Sequence, residues 1–102
     1  MKSPAECNSI EEIRAAIDEI DEQIVALLGQ RFEYVKAITR FKKTEEDVRA
    51  PERYNAVLQQ RRVWAEEAGL NPDWIEEMYR LLIGHFINVE LEDLNLVQPD
   101  RS

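Results

Sequence analysis

An all-α fold of three helices with a very long first helix is predicted by three features of the sequence. Apolar residues recur at alternating three- and four-residue spacings from residue 10 to residue 41, as in a helix with one apolar stripe. Two later segments with helical spacing each open with a proline, Pro51 and Pro72, a residue favoured at the first helical position. No stretch shows the strict apolar–polar alternation of a half-buried strand. We therefore expect residues 1–102 to form a single all-α domain.

The first helix is predicted to run from Ile10 to Phe41, with Ser9 as its N-cap and two acids in its first turn. Arg31 takes the stripe position where another apolar residue is due. The apolar members of the stripe are Ile10, Ile13, Ile17, Ile20, Ile24, Leu27, Tyr34, Ile38 and Phe41.

Arg31 is expected to meet an anion, because a guanidinium at a stripe position costs several kcal/mol to desolvate otherwise. That anion is a bound ligand, a glutamate such as Glu33, or an acid of a partner chain. Arg14 and Lys42 lie on one flank of the stripe, about 42 Å apart, so one small molecule cannot touch both within a chain. Arg31 and Lys42 are only about 16 Å apart along the axis. An antiparallel second copy would bring its Arg14 to that pair, which predicts a homodimer with shared sites.

The segment from residue 42 to 50 is charged and loses the helical spacing, so it is predicted to be a loop that orders over a ligand. The second helix is predicted from Pro51 to Ala68, with Gly69 as its stop. Its apolar stripe is expected to be Val57, Trp64 and Ala68.

The third helix is predicted to open with Asn71 as N-cap and to run to about Leu94 with a broad apolar face. Glu90 interrupts this face, since it lies at helical spacing from Ile83, Ile87 and Leu94. An acid in an apolar row is the second anomaly of the sequence, although a half-exposed position would also explain it.

The composition excludes several classes of function. A net charge of −8 and a pI near 4.7 argue against binding to nucleic acids or anionic membranes, which needs a basic surface. The single Cys7 forms no internal disulfide, and no apolar run is long enough to span a bilayer. One Cys and His85 do not make a metal site. We expect a cytoplasmic protein without metal or cofactor, whose small anionic ligand needs a locally basic pocket.

Arg14, Arg31, Lys42, Arg53 and Glu90 are the candidate site residues. The alternatives are flank charges for Arg14 and Lys42 and a packed or surface role for His85. Four other basic residues are expected to be solvated: Lys43, Arg49, Arg61 and Arg62. A site with several cations, one acid and no nucleophile can clamp a dicarboxylate and act by orientation and electrostatic stabilisation.

Several motifs resemble a known family. They are Ile13-Arg14, Ile17-Asp18, Ile20-Asp21, Arg31, Tyr34-Val35-Lys36-Ala37, Phe41-Lys42, Ala50-Pro51-Glu52-Arg53 and Trp64-Ala65-Glu66-Glu67. In them the chain resembles, over nearly its whole length, the all-α chorismate mutases and more closely the isochorismate-pyruvate lyases of salicylate and siderophore pathways.

The resemblance implies an intertwined homodimer of the chorismate mutase type, with the long first helices paired. It implies that Arg14 of one subunit and Arg31, Lys42 and Arg53 of the other bind the two carboxylates and the ether oxygen of the substrate, with Glu90 also at that oxygen. Apolar substrate contacts are expected from Ile38 and Phe86. No cofactor is implied.

Three departures from the mutase pattern refine this expectation. Tyr54 stands where mutases carry an acid that holds the ring hydroxyl of the substrate, and Ala50 stands where they tend to have Asp. Both changes resemble the lyase branch, whereas Glu90 stands where the lyases and most bacterial mutases have glutamine. The expected function is cofactor-independent conversion of isochorismate to salicylate and pyruvate, with weaker mutase activity. Chorismate mutase proper and a non-catalytic regulatory or interaction module remain the alternatives.

Lys42 and a protonated Glu90 are the expected catalytic residues, because both can donate to an ether oxygen that gains negative charge. Activity is therefore expected to fall as Glu90 ionises with rising pH.

Overall fold

The computed structural model describes residues 2–96. Within them the chain forms a 3-10 turn, Pro4–Glu6, and four α-helices: α1 (Ile10–Thr39), α2 (Glu45–Arg49), α3 (Pro51–Glu67) and α4 (Pro72–Asp93). The described residues contain no strand. The predicted all-α class and very long first helix are confirmed. The chain divides into two compact units, Met1–Val35 and Lys36–Ser102.

The first unit consists mainly of the N-terminal part of α1. Ser9 caps this helix as predicted, because its Oγ accepts a hydrogen bond from the backbone N–H of Glu12 at 3.1 Å. The Glu12 side chain reaches back and accepts from the N–H of Asn8 at 2.8 Å. The apolar stripe of this unit is exposed, with Ile17 at 50% and Ile24 at 49% of full accessibility.

The end of α1 differs from the prediction, which carried the helix on to Phe41. The helix ends at Thr39, and the next residues turn tightly. The N–H of Phe41 donates to the carbonyl of Ile38, and that of Lys42 donates to the carbonyl of Thr39, both at 3.0 Å. Such three-residue hydrogen bonds commonly tighten the last turn of a helix. Lys42 therefore lies just beyond α1 rather than on it.

The segment predicted to be a loop contains the short helix α2. Thr44 caps it, with Oγ1 accepting from the N–H of Asp47 at 3.0 Å. The Asp47 carboxylate in turn accepts from the N–H groups of Lys43 and Thr44 at 3.0 and 3.2 Å. The prediction of an irregular loop was wrong because this reciprocal capping box offsets the high local charge. Val48 anchors α2 by packing in a buried cluster with residues of α4.

Helices α3 and α4 form the main packing interface of the second unit. Val57, Leu58 and Ala65 are buried on α3. The predicted stripe was therefore partly wrong, since Val57 is buried but Trp64 and Ala68 are exposed. The buried face is rotated by about one residue, which places Leu58 and Ala65 inward.

The connection between α3 and α4 agrees with the prediction. Gly69 adopts a positive φ of 76° just after α3, a conformation that favours glycine. Asn71 caps α4 and its side chain accepts from the N–H of Asp73 at 2.8 Å. Both helix boundaries lie within a residue or so of those predicted.

Candidate active site

A cavity of about 530 Å³ lies in the second unit, among the end of α1, the segment around α2 and the first turn of α3. Its volume is in the range of small-molecule sites. Its lining consists of Ile38, Phe41, Lys42, Glu46, Asp47, Ala50, Pro51, Glu52 and Arg53. Three residues predicted from the sequence, Ile38, Lys42 and Arg53, therefore share one cavity.

Lys42, which lines this cavity, forms an ion pair with the buried Glu90 of α4. Lys42 Nζ donates to Glu90 Oε2 at 2.8 Å, and the two side chains are 17% and 8% exposed. Thr39 Oγ1 donates to the same Oε2 at 3.0 Å. Glu90 is thus buried, so a half-exposed position does not explain it. The acid that interrupts the apolar row of α4 is held by two donors that lie near the end of α1.

Phe86 lies one helical turn before Glu90 on α4 and is half-buried. Its ring makes an edge contact with His85, with ring centroids 5.0 Å apart. His85 is exposed, in line with the packed or surface role considered for it.

Arg14 and Arg31 both lie on the part of α1 that belongs to the first unit. Arg14 is exposed and Arg31 is half-buried. Their separation of 17 positions corresponds to about 26 Å along the helix axis. Within this helix the two guanidinium groups are therefore too far apart to hold one small molecule between them.

Acids line the cavity as well as cations. Glu46 and Glu52 are part of its wall, as is Asp47. The pKa of Asp47 is lowered, first by the backbone N–H of Lys43 and then by that of Thr44, so its carboxylate is an anion that caps α2. Arg53 and Lys42 are the cations of the lining, and Lys42 is paired with Glu90. A dicarboxylate ligand therefore requires cations beyond those of this lining.

Tyr54 is engaged with α4. Arg80 Nη1 donates to its hydroxyl at 3.3 Å, and the Arg80 guanidinium lies 5.8 Å from the centroid of its ring. Arg80 also donates to Glu76 at 2.7 Å, which is the main reason that the pKa of Arg80 is raised. The side chain that replaces the acid of the mutase pattern is thus part of the packing between α3 and α4.

Arg61 and Arg62 were predicted to be solvated, but both have partners in the structure. Arg62 donates to Asp73 at 2.8 Å and to Glu76 at 3.0 Å, and these bonds raise its pKa. The Arg61 guanidinium lies over the Trp64 ring at 4.6 Å. Periodicity within one helix does not reveal such contacts, because the ion pairs of Arg62 join residues 11 and 14 positions apart.

Lys43 and Arg49 are exposed, as predicted. Arg49 pairs with Glu45 one turn earlier at 2.7 Å. Exposed pairs of this kind contribute little to stability.

Thr39 is the site residue that the sequence did not single out. It is 7% exposed and its hydroxyl reaches a residue 51 positions away. The only sequence signal was a polar residue next to the apolar stripe, which is common on helices.

No group of three or more His, Cys, Asp or Glu residues within residues 2–96 is arranged to hold a metal ion. None of the helices in this range combines the length and the apolar character needed to cross a membrane.

The described residues thus form an all-α fold with a cavity lined by Lys42, whose ammonium group pairs with the buried Glu90. The family model of chorismate mutase type II matches residues 13–91, and the chain belongs to that family. The resemblance found in the sequence is thereby confirmed.

Two curated relatives add detail. The chain is 44% identical over 92 residues to an isochorismate pyruvate lyase of Pseudomonas aeruginosa, a match that covers 90% of this chain and 91% of that protein. It is 36% identical over 73 residues to a T-protein of Haemophilus influenzae, which covers 71% of this chain but 19% of that longer protein.

Proposed function

We propose that this protein is an isochorismate-pyruvate lyase that converts isochorismate to salicylate and pyruvate without a cofactor, with chorismate mutase activity as a weaker reaction. The observation that carries the proposal is the ion pair between Lys42, which lines the cavity, and the buried Glu90. The relative named isochorismate pyruvate lyase, 44% identical over nearly the whole chain, supports the choice of substrate.

In both reactions the ether C–O bond breaks in a cyclic transition state, and negative charge grows on the ether oxygen. Lys42 is suited to stabilise that charge. Its ammonium group has three donors, of which one is used by Glu90, so two remain for a ligand in the cavity. A preorganised donor at the position where charge develops acts mainly on the transition state.

Glu90 acts as a second donor only when it is protonated, since an ionised carboxylate would repel the developing oxyanion. In the structure Glu90 Oε2 accepts from Lys42, and a carboxyl group that accepts at one oxygen can carry a proton on the other. The working form of the site therefore requires a proton on Glu90, which makes the reaction faster at lower pH.

The two carboxylates of the substrate are proposed to bind Arg53 and Arg31 of one subunit and Arg14 of its partner, while Ile38 and Phe86 contact the apolar part of the ring. Two observations support a homodimer. The lining of the cavity contributes few cations. In addition, the exposed apolar residues of α1 form a continuous stripe, whereas exposed apolar residues on a monomer are usually scattered singly. Pairing of two such helices would bury the stripe and supply Arg14 in trans.

The lyase rather than the mutase is favoured by Tyr54. In the mutase pattern an acid at this position holds the ring hydroxyl, whereas the Tyr54 hydroxyl accepts from Arg80. The name of the matched family, chorismate mutase type II, keeps conversion of chorismate to prephenate as the second candidate. A non-catalytic regulatory or interaction module is the third. By resemblance we assign the reaction to salicylate or siderophore production in the cytoplasm.

The experiment that tests the proposal is an assay of the purified protein with isochorismate and with chorismate in separate reactions, with chromatographic identification of the products. We expect salicylate and pyruvate from isochorismate, with a higher kcat/KM than for prephenate from chorismate. Lys42→Ala, prepared in the same way, controls for contaminating enzymes. A preference for chorismate would establish the mutase, and turnover of neither substrate would favour the non-catalytic module. The molar mass of the purified protein, measured by light scattering, tests whether it is a homodimer.

A further inference from the structure

Thr39 and Lys42 hold the same oxygen of Glu90. Thr39 Oγ1 lies 3.0 Å and Lys42 Nζ 2.8 Å from Oε2. As whole residues, Thr39 is 7% and Glu90 is 6% exposed, so solvent competes little with either hydrogen bond. Among residues 2–96, both hydrogen bonds to this carboxyl group fall on Oε2 and none on Oε1.

Both donors come from one tight turn. Thr39 is the last residue of α1, and the N–H of Lys42 donates to the Thr39 carbonyl at 3.0 Å. This backbone bond fixes the spacing between the hydroxyl and the ammonium group. The turn therefore presents the two donors to Glu90 as one unit.

The choice of oxygen decides where a proton sits on Glu90. A protonated carboxyl group has one O–H donor, and its other oxygen accepts. Two donors aimed at Oε2 occupy its lone pairs, so the proton belongs on Oε1. When Lys42 directs donors to the ether oxygen of a substrate, the hydroxyl of Thr39 continues to hold Oε2.

We infer that Thr39 is a positioning residue, which fixes the Glu90 carboxyl group so that Oε1 carries the proton donated to the substrate. The inference rests on the proposed function. A merely structural hydroxyl would only satisfy a buried polar group, and its loss would affect folding without a selective effect on the transition state.

The test uses Thr39→Val, which keeps the shape of the side chain and removes the donor, and Thr39→Ser, which keeps the donor. Thr39→Val should lower kcat about tenfold with KM changed less than about twofold, because a misplaced donor affects mainly the transition state. Thr39→Ser should retain about a third or more of kcat, since the hydroxyl remains.

The same Thr39→Val change is also made in a Glu90→Ala background. There it should alter kcat by less than about twofold, because no carboxyl group is left to position. Thr44→Val is the matched control: its hydroxyl caps α2 and does not contact Glu90, so its effect on kcat should be the same in both backgrounds.

Urea unfolding of the same proteins tests the hydrogen bond without turnover. The midpoint should fall more for Thr39→Val in the wild-type background than in the Glu90→Ala background, whereas Thr44→Val should lower it equally in both. Equal effects of Thr39→Val in the two backgrounds, in kcat or in midpoint, would overturn the positioning role. An unchanged kcat for Thr39→Val in a wild type that turns over isochorismate would overturn it as well. A wild type that turns over neither substrate would instead overturn the proposed function, and the role of Thr39 with it.

Discussion

Replacement of Glu90 by glutamine is the sharpest test of the site. Glutamine has nearly the same shape, and its amide oxygen can take the place of Oε2 as acceptor for Thr39 and Lys42. Its NH₂ group then stands where Oε1 stood and is a donor at every pH. The substitution thus supplies permanently what Glu90 supplies only when protonated.

The size of the effect follows from the burial of the pair. One preorganised donor to a developing oxyanion is worth about 10²–10³ in kcat, and the Glu90 side chain is 8% exposed, so water does not replace it. Wherever the wild-type Glu90 carboxyl group is ionised, Glu90→Gln should therefore exceed the wild type by about 10² in kcat. The variant keeps the hydrogen bond from Lys42 but loses the charge of the acceptor, so the free energy of unfolding should fall by less than the roughly 1.5–3 kcal/mol of a whole charge-assisted bond.

The assay is kcat against pH from 5 to 9 for both proteins with isochorismate at saturation. The wild type should lose activity as pH rises, because the active form carries the proton, and the variant should have a flatter profile. Glu46→Gln is the control, since it removes a negative charge from the wall of the same cavity without adding a donor at Glu90. A wild type fully active at pH 8, with a glutamine variant no faster, would refute the role of Glu90. An equal gain from Glu46→Gln would assign the effect to the net charge of the cavity.

Three further outcomes are expected. Lys42→Ala should lower kcat by about 10² with a smaller effect on KM, measured by steady-state kinetics; a change confined to KM would contradict its role at the transition state. Subunit exchange between inactive Arg14→Ala and Lys42→Ala dimers should restore about a quarter of wild-type activity, because half of the dimers are mixed and one of their two sites is intact; no recovery after exchange confirmed by mass spectrometry would argue against shared sites. Asp47→Asn should destabilise the protein in urea near neutral pH, and the difference from wild type should vanish as pH falls below 3.8. The reason is that the folded state lowers the pKa of Asp47, so the carboxylate contributes stability above the unfolded pKa and loses this contribution when it is protonated in the folded state. A difference independent of pH would exclude the charge of Asp47 as its cause.

Helix boundaries were largely predictable because their signals are local. Two helix starts are indicated in the sequence by Pro51, Asn71 and Pro72, and a third is indicated by Ser9. The capping box at Thr44 and Asp47 is equally local, and it defines α2. It could have been recognised from the sequence, but the high charge of the segment favoured a loop.

The partners that polar side chains find on other helices were not predictable, because they depend on how the helices pack. Arg62 meets acids of α4, and Tyr54 meets Arg80 of the same helix. The rotation of the α3 face by about one residue has the same origin. An apolar stripe limits which face of α3 is buried, but the packing of α3 against α4 decides that Leu58 and Ala65 are the buried residues.

Glu90 illustrates both what could be predicted from the sequence and what could not. Its place in an apolar row required a partner if the position was buried, because an unpaired buried carboxylate is far too costly. The row did not identify the partner, which is contributed by the turn after α1, 48 residues earlier. A buried ion pair seldom stabilises a fold more than apolar residues of the same volume would, so stability alone gives little reason for a charge pair at this position. A half-buried ammonium group at a cavity, next to a carboxyl group that can hold a proton, is instead an arrangement suited to a developing oxyanion. Under the proposed function, the acid that was conspicuous in the sequence forms, with Lys42, the part of the site that stabilises the transition state.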